Sequence, residues 1–173
     1  MITVYVDLDG VLADFDKTFQ MKKFDKEEFK RKVMDERLFE SLDFMPNAIN
    51  LLDTIISIHE NYSPLNIEIL SSLGAPKDKI LQQVVANQKR YWLESKGLSK
   101  YHTNFCIHKG LKKHFATPHS ILIDDTPQNI FDFNECNGLG FLYEDSMVNM
   151  AEITSLIVKA HTYKKLGIYG ETK

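Results

Sequence analysis

Two aspartates two residues apart, Asp7 and Asp9, stand directly behind the apolar run Ile2-Thr3-Val4-Tyr5-Val6 and directly before Gly10. Carboxylates at that spacing can share a phosphoryl-type reaction. One attacks phosphorus as a covalent nucleophile, and the other moves the leaving-group proton. Crowded together they repel and call for a cation, and hard oxygen ligands favour magnesium. The apolar run has the β-rich composition of a buried strand. The pair therefore leaves the carboxyl end of a strand, the edge where open α/β sheets bind ligands. Gly10 permits a sharp turn that a Cβ would hinder. Taken alone, Asp7-Leu8-Asp9-Gly10 is equally a polar turn after a strand.

Three later segments offer complementary groups. Leu70-Ser71-Ser72 ends an apolar run with hydroxyls, which donate to a phosphate oxygen without adding charge, although a serine pair there is more often a cap or turn. Lys109-Gly110-Leu111-Lys112-Lys113-His114-Phe115-Ala116 supplies fixed positive charge of the kind a transferring phosphoryl group needs. By itself that cluster reads as a solvated helix face. Ile121-Leu122-Ile123-Asp124-Asp125 puts a second carboxylate pair at a strand end. Consecutive strand residues point to opposite faces, so one of the two is expected to aim at a metal. Thr126-Pro127 behind them can open a helix.

The string D-L-D-G-V-L-A-D-F over residues 7–15 resembles the first signature of the haloacid dehalogenase-like hydrolases, in their 5'-nucleotidase and deoxyribonucleotidase branch. I-L-I-D-D-T-P-Q-N-I, from Ile121, resembles the fourth signature. K-K-H-F-A-T-P, from Lys112, is similar to the branch pattern Lys-x-x-aromatic-Ala-x-Pro and selects Lys112 ahead of Lys113 and Lys109. Ser71 matches the second signature, with Ser72 as an adjacent donor. The resemblance implies a magnesium-dependent phosphatase. Asp7 is then the nucleophile and Asp9 the acid and base, whose protonated start partial burial under a cap would favour. Asp7, the backbone carbonyl of Asp9 and Asp124 or Asp125 (Asp125 preferred) hold the metal, and Ser71, Ser72 and Lys112 bind the phosphoryl group. The implied substrate is a nucleoside monophosphate, a deoxynucleotide by preference. Phosphorylated nucleic-acid ends and other small phosphate esters are the rival substrates, and a binding module that has lost catalysis is the rival class.

The elements that must position these groups follow from periodicity. Strands are predicted at 66–70, 104–107, 120–123 and 140–143, and helical spacing over 46–59, 77–95, 129–134 and 148–166. Alternation of this kind predicts an α/β fold, a three-layer Rossmann-like parallel sheet with right-handed crossovers. The stretch of about 16–44 is rich in lysine, arginine and phenylalanine and has no strand-like run. It reads either as an ordinary helical crossover or, following the resemblance, as a small helical cap inserted in a single 1–173 domain. Phe15, Phe39 and Leu42 are candidates for the wall of a base pocket. In Lys89-Arg90-Tyr91-Trp92 the two aromatics are expected to pack into the core rather than stack bases.

Composition narrows the classes further. A 43% apolar and 26% charged chain has the balance of a globular protein, and a net charge of −3 gives no global pull toward nucleic acid or membrane. No run is long enough to span a bilayer and no leader precedes the first strand, so a cytoplasmic location is expected. Cys106 and Cys136 are too few for a disulfide framework. His102, His108, His114 and His119 lack zinc-site spacing.

Overall fold

The structure is a computed structural model of the 173-residue chain that describes residues 1–15, 25–74, 77–145 and 150–167. Strands β1 (Ile2–Val6), β2 (Leu65–Ser72), β3 (His102–Cys106), β4 (Ser120–Asp124) and β5 (Leu139–Leu142) form one sheet in the order β3-β2-β1-β4-β5. Every pairing is parallel, with Val4 of β1 in register with Ile67 of β2 and Ile121 of β4. Parallel neighbours require crossovers. Helices α2 (Ala48–Asn61), α3 (Lys79–Ser95), α4 (Pro127–Glu135) and α5 (Met150–Leu166) lie in the connections or after the last strand. From β1 the chain builds outward through β2 and β3 on one side, then returns to build β4 and β5 on the other. The strand order therefore switches direction between β1 and β4, where loops diverge and leave a crevice.

Burial on both faces gives three layers. Ile2, Val4, Val6, Ile69, Ile121 and Ile123 join Leu51, Leu52 and Ile55 of α2, Val85 and Trp92 of α3, and Ile153 and Ile157 of α5 in the main core. Each of these side chains contributes about 1.5–3 kcal/mol by leaving water. On the opposite face Leu70, Cys106, Leu122 and Phe133 form a smaller cluster, with Tyr5, Leu111 and Phe115 packed against it. That face is covered by α4 and by a 3-10 segment, Lys109–Phe115, in place of a full crossover helix. The α/β layered sheet expected from periodicity is thus present.

Two local expectations are corrected. The third strand begins at His102 and ends at Cys106, and Ile107, placed in it by sequence, is 45% exposed. In α3 Trp92 is buried whereas Tyr91 is 53% exposed. Adjacent helical residues are about 100° apart around the axis, so one stripe cannot hold both. Cys106 is buried and Cys136 exposed, both as free thiols. No helix among the described residues is long and apolar enough to cross a membrane.

Between β1 and α2 stand α1 (Lys26–Glu36) and a short 3-10 turn, Leu38–Glu40. Asp25 caps α1 by accepting from the Glu27 N–H at 3.0 Å, and Arg37 ends it in a left-handed conformation with φ 53°. Phe29, Val33, Leu38 and Phe39 are buried. Three contacts seat this segment on α3. Gln88 donates to the Val33 carbonyl at 2.6 Å and accepts from the Phe39 N–H at 3.3 Å, and the Trp92 indole donates to the Leu42 carbonyl at 2.7 Å. The chain enters and leaves side by side: Asp14 N–H donates to Asp43 O, and Met45 N–H to Leu12 O. Residues 16–24, the first part of the expected cap, lie outside the described residues.

Candidate active site

Asp7 sits one residue beyond β1, and its N–H donates to the Ile123 carbonyl at 2.9 Å, which extends the β1–β4 ladder past the strand end. The chain then doubles back, with Leu8 O accepting from both Leu12 and Ala13 N–H. Gly10 makes the turn with φ +78°, and a Cβ there would lie 2.2 Å from the Asp125 Oδ2. Glycine is required both for the backbone conformation and for the approach of the two acidic loops. Asp7 Oδ1 accepts from the Leu8 N–H at 2.7 Å, leaving Oδ2 to face its neighbours.

The β4 side of the site is built around Lys112. Its Nζ lies 2.7 Å from Asp7 Oδ2 and 2.7 Å from Asp124 Oδ2, and the lysine is buried. Asp124 is fully buried and accepts from the Asn129 amide at 2.9 Å on each oxygen and from the Thr126 N–H at 2.9 Å. Asn129 lies on α4, which begins with Pro127 after Thr126, so the helix start orients the carboxylate that ends β4. Asp7, Asp124 and Asp125 each present an oxygen within 4.8 Å of the others. An all-carboxylate oxygen set suits magnesium. Both members of the Asp124–Asp125 pair belong to this group, where sequence reasoning expected one. Past the end of a strand the alternation of faces no longer separates neighbours.

The β2 side holds a lysine that sequence reasoning missed. Lys89 of α3 is fully buried, and its Nζ contacts Asp9 Oδ2 at 2.5 Å, Ser71 Oγ at 2.9 Å and Ser72 O at 2.7 Å. The Phe39 ring centroid lies 4.7 Å from the same nitrogen. The signal was present: Leu81, Val85, Lys89 and Leu93 follow i, i+4, i+8, i+12 spacing on the buried stripe. A lysine at such a position is rarely buried unless an anion awaits it. Asp9 keeps 28% of its side chain exposed and is thus partly buried. Its Oδ1 is a buried atom with no hydrogen-bond partner among the described residues.

A cleft of about 170 Å³ opens onto these groups, lined by Asp7, Asp9, Phe15, Ser72, Lys109, Lys112, Asp125 and Asn129 among others. Ser72 reaches the wall, whereas Ser71 lies beneath it, its hydroxyl held by Lys89. Lys109, ranked last by the sequence pattern, is an exposed cation on the wall. Phe15 lines the cleft, but Phe39 and Leu42 do not. Phe39 stacks behind Phe15 at a centroid distance of 5.5 Å, and Leu42 is packed in the core. An amphipathic segment buries its aromatic face before it can offer one to a ligand.

Charge in the cleft is unbalanced. Four carboxylates, Asp7, Asp9, Asp124 and Asp125, face two buried ammonium groups, Lys89 and Lys112. Burial foremost, with the charges of Asp124, Asp9 and Asp125, pushes the Asp7 carboxyl up to about 8 against the downward pull of Lys112. Burial opposes the charge on Lys112, but Asp7 and Asp124 outweigh it and hold the ammonium well above the usual lysine range. Lys112 is thus the charged partner, and burial among like charges disfavours the ionised form of Asp7. A divalent cation at the oxygen set would relieve that repulsion.

No family model matches the chain, and no curated protein matches it. Among solved structures, a HAD-superfamily hydrolase from Ehrlichia chaffeensis superposes with a TM-score of 0.51 at 16% identity, over 92% of this chain and 97% of that one. A hydrolase from Pseudomonas syringae gives a TM-score of 0.46 at 16% identity, covering 90% of each chain. A HAD hydrolase, family IA, variant 3, from Entamoeba histolytica gives 0.47 at 15% identity over 93% of this chain and 100% of that one. With its parallel five-stranded sheet and flanking helices, the chain has the fold of the HAD-superfamily hydrolase from Ehrlichia chaffeensis.

Proposed function

We propose that the protein is a magnesium-dependent phosphomonoesterase that works through an aspartyl-phosphate on Asp7. The convergence of Asp7, Asp9, Asp125 and Lys112 on one small cleft at the β1–β4 switch point carries this reading. Asp7 Oδ attacks phosphorus while the ester oxygen leaves with a proton from Asp9. Asp9 then takes a proton from water as that water attacks the phosphoryl group, releasing inorganic phosphate and restoring Asp7. Ser72 and Lys112 stand where phosphoryl oxygens would bind, and Ser71 acts from beneath. Asp7, Asp124 and Asp125, with the backbone carbonyl of Asp9, would hold magnesium, which supplies charge neutralisation for a dianionic ester. In this reading 1–173 is one domain with a small cap at about 16–44, whose described part, 25–44, is seated on α3.

The proposed substrate is a (deoxy)nucleoside monophosphate. The signature strings over residues 7–15 and 121–130 support it, and a cleft of about 170 Å³ accommodates the phosphoryl group. Exposed Lys109 on the wall favours a second reading, a phosphorylated nucleic-acid end whose neighbouring phosphates it would meet. A phosphate-release screen in magnesium or chelator tests both, using 5'- and 3'-mononucleotides, sugar phosphates and 3'-phosphorylated oligonucleotides. Magnesium-dependent release from mononucleotides is expected. Turnover confined to oligonucleotides selects the second reading, and no release from any ester overturns the enzyme assignment in favour of a binding module.

A further inference from the structure

We infer that Lys89 is a positioning residue for Asp9 and that it links the seating of the 25–44 helical segment to proton delivery. The inference rests on the phosphomonoesterase reading. An ammonium has three protons, and those of Lys89 are matched by Asp9 Oδ2, Ser71 Oγ and Ser72 O, all within 2.9 Å. No donor is left for a phosphoryl oxygen, and the side chain is fully buried, so Lys89 acts through Asp9 rather than on the substrate. With Oδ2 tied down, the carboxylate of Asp9 can turn only by breaking that contact. Its Oδ1, a buried atom that meets no partner among the described residues, is the oxygen left to carry the proton once a leaving group reaches it.

The other side of the ammonium faces Phe39, at 4.7 Å from the ring centroid. A ring face attracts a desolvated cation and excludes water from it. Phe39 is held in turn by its N–H to Gln88, the residue next to Lys89 on α3. It is packed between Phe15 and Phe29, at centroid distances of 5.5 and 6.2 Å. The same turn of α3 thus anchors the helical segment through Gln88 and the proton-transfer carboxylate through Lys89. Withdrawal of Phe39 would hydrate the ammonium and loosen its hold on Asp9.

The test compares two aryl esters of nearly equal shape, 4-nitrophenyl phosphate and phenyl phosphate. The first leaving group departs without a proton, and the second needs one. We read kcat/KM, which reports formation of the phosphoryl-enzyme. In the Lys89→Met variant kcat/KM is expected to fall about 100-fold on phenyl phosphate, the low end of what a positioned acid supplies, and only a few-fold on 4-nitrophenyl phosphate. Phe39→Leu, which keeps the ammonium, is expected to show the same bias at smaller size. If Lys89→Met does not fold, as judged by its thermal transition, the bias in Phe39→Leu decides. Equal losses on both esters overturn the inference while leaving the phosphomonoesterase reading intact. Failure of the wild-type protein to release phosphate from these two esters or from any ester of the phosphate-release screen overturns that reading and the inference with it.

Discussion

The two halves of the cleft each place a buried lysine against aspartate, yet they are built differently. On the β4 half, Lys112 bridges two carboxylates that stand at the ends of adjacent core strands, and the Asn129 amide and the Thr126 N–H donate to the remaining oxygen of Asp124. On the β2 half, Lys89 holds one oxygen of Asp9, and its other partners are a hydroxyl, a carbonyl and an aromatic ring. The first arrangement is closed and rigid, suited to a fixed nucleophile and a cation site. The second leaves the buried Oδ1 of Asp9 without a partner among the described residues and leans on a segment outside the sheet, which suits the proton transfer proposed for it. Similar ion pairs serve opposite ends because one is saturated with hydrogen bonds and the other is not.

The sharpest way to break this contrast is to remove one carboxylate from each half. Asp7→Asn is expected to lower turnover by more than about 10⁴-fold, as loss of a nucleophile does. Asp9→Asn is expected to lower it by about 10²–10⁴-fold, the range for a general acid. Steady-state assays on one ester decide the order, and a larger loss at Asp9 reverses the assignment of roles. The difference in rigidity is read from stability. Lys112→Met leaves Asp7 and Asp124 facing each other in the interior and should cost about 3–5 kcal/mol, typical of a broken buried pair. Lys89→Met strands one partly exposed carboxylate and should cost about 1.5–3 kcal/mol, the worth of a charged hydrogen bond. Denaturant titration measures both; equal costs would mean that the β2 half is as saturated as its counterpart.

The smallest effect is expected where the halves are joined. Gly10→Ala forces a left-handed residue to carry a Cβ and pushes it 2.2 Å from Asp125. The strain is on the order of 1–3 kcal/mol, and relief by moving Asp125 should weaken magnesium binding several-fold. A magnesium titration of turnover checks this, and an unchanged midpoint would remove Asp125 from the cation site.

How much of the site was legible depended on how its residues are spaced along the chain. Asp7, Asp9, Asp124 and Asp125 each stand at a strand end or within three residues of one, so a short apolar run is enough to place them at the carboxyl edge. Lys112 was selected by its pattern, and it is seated between Asp7 and Asp124 on the wall of the cleft. Ser71 was preferred to Ser72 by its match to the pattern, yet Ser72 lines the cleft while Lys89 holds the Ser71 hydroxyl, and where Lys89 reaches is not a local property of the strand end. Phe39 and Leu42 were read as pocket wall. Packing against α3 and Phe15 buries them instead, a tertiary preference that overrides local composition.

The sequence by itself determined the layered parallel sheet, since strand and helix periodicities alternate and local apolar patterns decide which face of each element is buried. It also determined that four carboxylates gather at one sheet edge, because each is tethered to a strand end. Only the tertiary structure decided the partners of those carboxylates. Lys89 lies 80 residues from Asp9 and on a different element. What brings them together is the docking of α3 beneath β2 and the inserted helical segment, a long-range packing event that no local pattern specifies.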